Sequence, residues 1–323
     1  MKSLSCLTAS LLCAAVAGTP MAYAQGKYPD RAIRLISPFP PGGTVDVNAR
    51  IIAPAVSKSI GQQVVIDNRS GASGIIGTAE AARAKPDGYT LLINTTPMVT
   101  NTLMYGKVPY HVLKDFEAIS ILSSTPSFVS VHPSVPARSV RDLIKLAKAR
   151  PGDLRYAGAG VGTNPHIAGE LFNHLGKTNL VAVQYKGGGP ALVAAISGEV
   201  EIAFSGIAGA TGFVQSGRLR ALGVTSPKPV AALPGVPPIA EVLPGYEFSA
   251  WFVLAAPKGT PREVIATLNE HFVKAINAPE TVKRLAADGI DVIGGTPEQA
   301  QATMESELKK WATVIRERGM KAE

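Results

Sequence analysis

Apolar and polar positions along the chain follow two periods. Short apolar runs bounded by glycine, proline or asparagine read as buried strands, and longer segments with apolar residues three and four apart read as helices. Ile33-Arg34-Leu35-Ile36 is a strand, Pro38 to Gly43 a loop, and Thr44 the N-cap of a helix reaching about Ile60. Next come strand Val64-Val65-Ile66, loop Asn68 to Gly74, helix Ile75 to Ala84, turn Pro86-Asp87-Gly88 and strand Tyr89 to Ile93. Strand–helix alternation of this kind builds a parallel sheet with right-handed crossovers. Pro54 lies inside the first helix, where it removes a backbone hydrogen bond and crowds the preceding turn, so a kink near Arg50 to Pro54 or an early helix end is expected.

The pattern recurs in the middle of the chain. Leu154-Arg155-Tyr156 runs into Gly158-Ala159-Gly160-Val161-Gly162, and Asn164 as N-cap with Pro165 at the first position opens a helix whose Ile167, Leu171 and Leu175 share a face. Val181 to Gln184 leads through Lys186-Gly187-Gly188-Gly189-Pro190 into a helix ending at Ile196. Val200 to Phe204 leads through Ser205-Gly206 into another helical stretch, and Arg220 to Val224 is a last strand. Phe248 to Ala255 is an apolar strand. Thr260-Pro261-Arg262-Glu263 and Thr296-Pro297-Glu298-Gln299 both carry the capping-box signature, the second opening a helix through about Arg318. The reading is α/β with two lobes: 25–125 completed by 250–323, and 126–249, each with a small core.

Composition changes this picture at one end. Lys2, the apolar stretch Leu4 to Val16 and Ala22-Tyr23-Ala24 form a signal peptide, residues 1–24, cleaved after Ala24 for export to the periplasm. A lipid anchor at Cys13 is disfavoured by Leu12, which stands where a small residue is needed. Both cysteines, Cys6 and Cys13, leave with the signal, which excludes disulfides, thiolate metal sites and cysteine nucleophiles. The charge of +8 falls to +7 with the loss of Lys2. The basic residues lie among apolar or acidic neighbours, as in Arg141 to Arg150 and Lys309 to Arg318, so they read as solvated helix faces and not as a nucleic-acid footprint.

Five times a strand end runs into a glycine-containing loop and then a helix: Pro38 to Thr44, Asn68 to Gly74, Gly158 to Asn164, Lys186 to Pro190 and Ser205 to Gly212. Ligands of open α/β sheets bind at strand carboxyl ends, and helix N-termini offer unpaired N–H groups and partial positive charge. A single loop of this kind is explained by a tight turn; five facing loops make a cleft for an anion. Cofactor signatures are missing: Thr163 replaces the third glycine of G-x-G-x-x-G, and no phosphate-loop motif occurs. Enzyme motifs are equally lacking, since Gly71-Ala72-Ser73-Gly74 does not have nucleophile-elbow spacing and the histidines show no paired ligand spacing. His166 near a helix N-terminus reads either as a donor to a ligand carboxylate or as a packing residue. Asp46 in a first turn is favourable against the helix dipole whatever else it does.

At this point an ordered set of motifs resembles the tripartite tricarboxylate transporter substrate-binding proteins, the Bug family. It comprises Pro38-Phe39-Pro40-Pro41-Gly42-Gly43-Thr44-Val45-Asp46 with Ala49-Arg50, Gly61 to Arg69 with Gly71-Ala72-Ser73-Gly74, Pro86 to Thr90, Lys114-Asp115-Phe116, Gly160-Val161-Gly162 with His166, Tyr185-Lys186-Gly187, and Ala256-Pro257 with Gly259-Thr260-Pro261. The resemblance implies a type II periplasmic-binding-protein-like fold with a ligand cleft between the lobes. It also implies ligand contacts at Phe39, Pro41, Gly42, Gly43, Thr44 and Asp46, and at Gly160, Gly162, Thr163 and His166. The far end of the pocket falls to Ala72, Ser73, Asn94, Thr95, Tyr185, Lys186, Ser205 and Gly206. Two departures stand out: Glu201 where the family commonly has Asp, and Ser205 where an acidic residue is frequent.

The expected protein is a monomeric solute receptor without cofactor or metal, which takes a small di-, tri- or aromatic carboxylate to the permease subunits of a tripartite membrane transporter. The competing readings are an exported hydrolase or transferase using the same cleft, and a ligand-sensing module for a membrane partner.

Overall fold

In the computed structural model, which describes residues 28–321, strands and helices alternate from the first element. The signal segment and its cleavage point lie outside the described residues. The order opens β1 (Ile33–Ser37), α1 (Thr44–Ile60), β2 (Val64–Asn68), α2 (Ile75–Ala82), β3 (Thr90–Asn94), α3 (Pro97–Met104) and the long β4 (Phe116–Val131). It continues α4 (Val140–Ala149), β5 (Arg155–Gly158), α5 (Asn164–Gly176), β6 (Val181–Gln184), α6 (Gly188–Ser197), β7 (Ile202–Gly206), α7 (Ile207–Gln215) and β8 (Arg220–Val224). The last elements are β9 (Ser249–Pro257), α8 (Arg262–Ile276), α9 (Pro279–Ala287), β10 (Asp291–Val292) and α10 (Pro297–Arg318).

β1 pairs in parallel with β2 and β3, and β5 pairs in parallel with β6 and β7. These two parallel parts are joined through antiparallel strands in the order β2-β1-β3-β9-β4-β7-β5-β6. β4 belongs to both parts: Phe116 to Pro126 pairs with β9, while Ser127 to Val131 pairs with β7. The result is a two-lobed α/β fold in which all five glycine loops leave strand carboxyl ends.

Side-chain alternation along β1 explains how the layers are covered. Ile33 and Leu35 face α1 and α8, packing with Ala49, Ile52, Leu268 and Phe272, whereas Ile36 faces a second core on the opposite side. That second core is not confined to one lobe. It runs from Leu92 and Met98 through Val129 and Trp251 to Tyr156, Phe172 and Phe204, with Met304 and Trp311 of α10 closing it. The expectation of a separate core per lobe therefore fails here, because β4 carries apolar residues through both parts. α8 and α9 pack on α1, while α10 also reaches α5.

Helix starts differ from the expected caps in three places. Gly43 caps α1 and Thr163 caps α5, each one residue before the expected Thr44 and Asn164, and neither makes a side-chain cap bond. Pro261 caps α8, which puts Glu263 one position short of where a capping box needs it, and the Thr260 hydroxyl donates instead to Pro257 O at 2.7 Å. The Thr296–Gln299 box forms in full. α1 runs unbroken past Pro54 to Ile60, so the helix does not end early; Pro54 and Arg50, whose carbonyl loses its partner, are both exposed.

α10 is fastened by one carboxylate. Glu307 Oε2 accepts from both indoles of the chain, Trp251 Nε1 at 2.9 Å and Trp311 Nε1 at 2.8 Å. Glu307→Ala leaves two buried donors unpaired and is expected to destabilise the fold by about 2 kcal/mol or more. Urea unfolding followed by tryptophan fluorescence measures the loss, and an unchanged midpoint would contradict it.

Candidate functional site

In the first lobe, the β1–α1 loop is held by an acid that it surrounds. Asp46 is buried; its Oδ2 accepts from Gly42 N at 2.9 Å and Arg50 Nε at 2.8 Å, and its Oδ1 accepts from Asn68 Nδ2 at 2.9 Å. Asn68 Nδ2 also donates to Phe39 O at 3.1 Å, and Arg50 Nη2 donates to Asn68 Oδ1 at 3.2 Å. Burial alone would raise the Asp46 pKa, but Arg50, then Gly42 N–H and Asn68, outweigh it and hold the carboxyl below its usual value. Asp46 therefore braces the loop. Arg50 was visible at helical spacing from Asp46, but Asn68 arrives from the next strand and only the fold brings it in.

The loop glycines use their N–H groups internally: Gly42 on Asp46, and Gly43 on Pro40 O at 3.2 Å. The next three N–H groups, of Thr44, Val45 and Asp46, have no partner among the described residues. The second lobe repeats this arrangement. Gly160 N donates to Gln184 Oε1 at 3.0 Å, Gly162 N to His166 Nδ1 at 3.1 Å and Thr163 N to Gly160 O at 3.2 Å, while the N–H groups of Asn164 and His166 lack partners among the described residues. The glycines shape the loops, and the helix starts behind them hold the free donors.

Charge placement separates these helices from the rest. α4, α8, α9 and α10 each carry an acid in the first turn: Asp142, Glu263, Glu280 and Glu298. α2, α5, α6 and α7, which follow the strand-end loops, carry none, and the Asp46 carboxylate of α1 is neutralised by Arg50. The positive ends of the cleft helices are thus left without a resident anion.

The loops of the two lobes meet. A Cβ placed on Gly160 would lie 3.0 Å from Ser73 Oγ, one on Gly206 would lie 3.9 Å from Thr44 Oγ1, and Phe39 covers Gly74. Among the residues assigned to the far end, Ala72 and Ser73 hold left-handed backbone at φ 46° and 54°. Asn94 is turned inward, its Oδ1 accepting from Thr95 N and its Nδ2 donating to Thr78 Oγ1. Thr95 Oγ1 is buried without a partner among the described residues. The Tyr185 hydroxyl donates to Glu199 Oε1 at 2.8 Å, Lys186 is exposed, and Ser205 and Pro41 border the cleft loops. Glu201 does not face the cleft, because it receives Arg155 N at 2.8 Å and Arg155 Nη2 at 3.0 Å. An open groove of about 830 Å³ between α1 and β2, lined by Arg50, Pro54, Gln63 and Val64, is on the outer edge of the lobe.

His166 is buried, and burial pushes its pKa below the usual value against an opposing pull from Glu170. Its neutral form is the one that accepts from Gly162 N. A folded pKa below the unfolded value makes this contribution complete above about pH 6.5, and it is lost as pH falls through the folded pKa. Wild type should lose more stability between pH 7.5 and 5.5 than His166→Asn, which keeps an acceptor near Nδ1. Equal losses in thermal unfolding would show that His166 does not titrate with folding.

A family model described as the tripartite tricarboxylate transporter family receptor matches residues 48–320. Protein BugT of Bordetella pertussis is 36% identical over 310 residues, covering 95% of this chain and 95% of that protein. The solved structure of R. palustris Rpa4515 with adipate aligns at a TM-score of 0.86 and 35% identity, covering 91% of this chain and 99% of the other. MatC (Rpa3494) from Rhodopseudomonas palustris with bound malate aligns at 0.83 and 28%, covering 89% and 100%. The family is one of receptors and not of enzymes, which sets aside the hydrolase or transferase reading. The chain belongs to the tripartite tricarboxylate transporter receptor family, with the Bug proteins, and is a two-lobed solute-binding receptor.

Proposed function

We propose that the protein is a periplasmic receptor that closes on a small organic carboxylate, a di- or tricarboxylate or an aromatic acid, and delivers it as a monomer to the permease subunits of a tripartite transporter. Export follows the signal at residues 1–24, with cleavage after Ala24. Residues 25–125 with 250–323 form one lobe and 126–249 the other, so that bending is concentrated where β4 changes partners after Pro126 and where β9 begins at Ser249. The single observation that carries the reading is the set of partnerless N–H groups at the starts of α1 and α5, on helices whose first turns hold no free acid.

In this reading the carboxylate accepts from Thr44, Val45 and Asp46 N–H on one side and from Asn164 and His166 N–H on the other. Gly42, Gly43, Gly160, Gly162 and Thr163 give the loops their shape, and Phe39 and Pro41 wall the entrance. Ala72, Ser73, Thr95, Tyr185, Lys186, Ser205 and Gly206 border the rest of the ligand, with Asn94 behind them. Adipate and malate in two structural relatives support the class of ligand.

A thermal-shift screen of the mature protein with adipate, malate, citrate and benzoate tests this. A true ligand at ~100 times its dissociation constant adds roughly 2.7 kcal/mol. Stabilisation by amino acids or sugars, and by no organic anion, would reject the carboxylate reading. Gly43→Val places a side chain on the approach to the Thr44 N–H and against Pro40 O, which a Cβ would meet at 3.2 Å. Affinity should fall at least ~10-fold, about 1.4 kcal/mol, with the unliganded protein still folded. Unchanged affinity would remove this loop from the site.

A further inference from the structure

Thr100 and Asn101 are adjacent on α3, about 100° apart around the helix, and each is tied to a different loop of the cleft. Thr100 Oγ1 is 2.8 Å from Gly162 O and 3.3 Å from Thr96 O in its own helix. A hydroxyl has one hydrogen, and the shorter contact takes it. That bond joins the helix after β3 to the loop after β5, from one lobe to the other. Asn101 Nδ2 donates to Ser73 O at 2.9 Å, and Tyr105 OH donates to Ser73 Oγ at 3.3 Å.

The turn they support needs support. Left-handed backbone at two successive non-glycine residues, Ala72 and Ser73, crowds Cβ against the backbone, so it persists only where the surroundings impose it. The fit between the parts is close: a Cβ on Gly162 would lie 2.8 Å from Asn101 Oδ1 and 3.6 Å from Thr100 Oγ1. Thr100, Asn101 and Gly162 are all buried, beside the core shared by the two lobes.

We propose that α3 is the positioning element of the cleft: Thr100 fixes the Gly160–Gly162 loop and Asn101 fixes the Ala72–Ser73 turn, which sets the start of α5 against the turn that opens α2 across the cleft. This rests on the carboxylate-receptor reading for its consequence, but not for its geometry. Thr100 acts through the loop backbone and is not itself a ligand contact.

Thr100→Ser keeps the hydroxyl, and Thr100→Val keeps the volume. In the unliganded protein, hydrogen exchange of the Gly160, Gly162 and Thr163 amides, the bonded ones of this loop, should be about tenfold faster in the valine variant, the scale of one lost buried hydrogen bond, and unchanged in the serine variant. Adipate or malate affinity should fall about five- to tenfold in the first and hold in the second. Wild-type exchange in Thr100→Val overturns the proposal, and so does equal loss in both variants, which would show that the effect does not follow the hydroxyl. If Thr100→Val does not fold, Thr100→Ala against Thr100→Ser gives the same comparison, since these differ only in the hydroxyl. Failure of the wild type to bind any carboxylate would defeat the receptor reading and leave the exchange measurement to decide this one.

Discussion

A backbone N–H at a helix start can hold a ligand only while nothing in the protein already holds it. That constraint runs against the usual stabilising devices, because side-chain caps and first-turn acids add to helix stability by filling those positions. The chain uses both devices where no ligand is expected: Ser139 caps α4, Thr296 caps α10, and acids open α4, α8, α9 and α10. At α1 and α5 no side chain caps the helix, the one first-turn acid, Asp46, is paired with Arg50, and the loops are braced from behind. Asp46 holds Gly42, and His166 holds Gly162, so each loop is ordered by the residue four positions on in its own helix.

Bracing of this kind depends on what the loops rest against. β4 carries the chain from one parallel part to the other and lets a single core continue beneath both, with Trp251 and Trp311 anchored to Glu307 at its back. In the proposed receptor, a cleft with one continuous core on its far side would bend by small shifts near the strand crossover and stay together. The donor sets of the two lobes then approach along a restricted path, which limits the entropy lost when a ligand is enclosed.

Much of this was legible in the sequence, and the failures have physical causes. The five glycine loops were plain because glycine and proline punctuate short apolar strands, and Asp46 was readable as a first-turn acid. Its bracing role was not, because the Asn68 amide arrives from 22 residues away through strand pairing. α3 escaped notice altogether: Pro97–Met104 is short and mixes apolar residues with Thr100, Asn101 and Thr102, so no period distinguishes it. The glycines mark the loops, but which N–H groups stay free is settled only by the hydrogen bonds of the folded chain, one to four residues onward. Local pattern locates a site; which atoms remain unpaired is a property of the folded chain.

Backbone donors recognise a carboxylate and are indifferent to what it is attached to. Discrimination therefore falls to side chains at the other end of the cleft, and there the sign of charge decides. None of Ala72, Ser73, Tyr185, Lys186, Ser205 and Gly206 is acidic. An acidic side chain about 4 Å from a second ligand carboxylate would cost roughly 4 kcal/mol at an effective dielectric of 20, nearly a thousandfold in affinity. In the proposed site Ser205 imposes no such repulsion, and Lys186 adds an exposed cation beside the α6 start. In the proposed site this lining tolerates a doubly charged acid, and the discrimination comes from side chains carried by the same strand-end loops whose glycines shape the cleft.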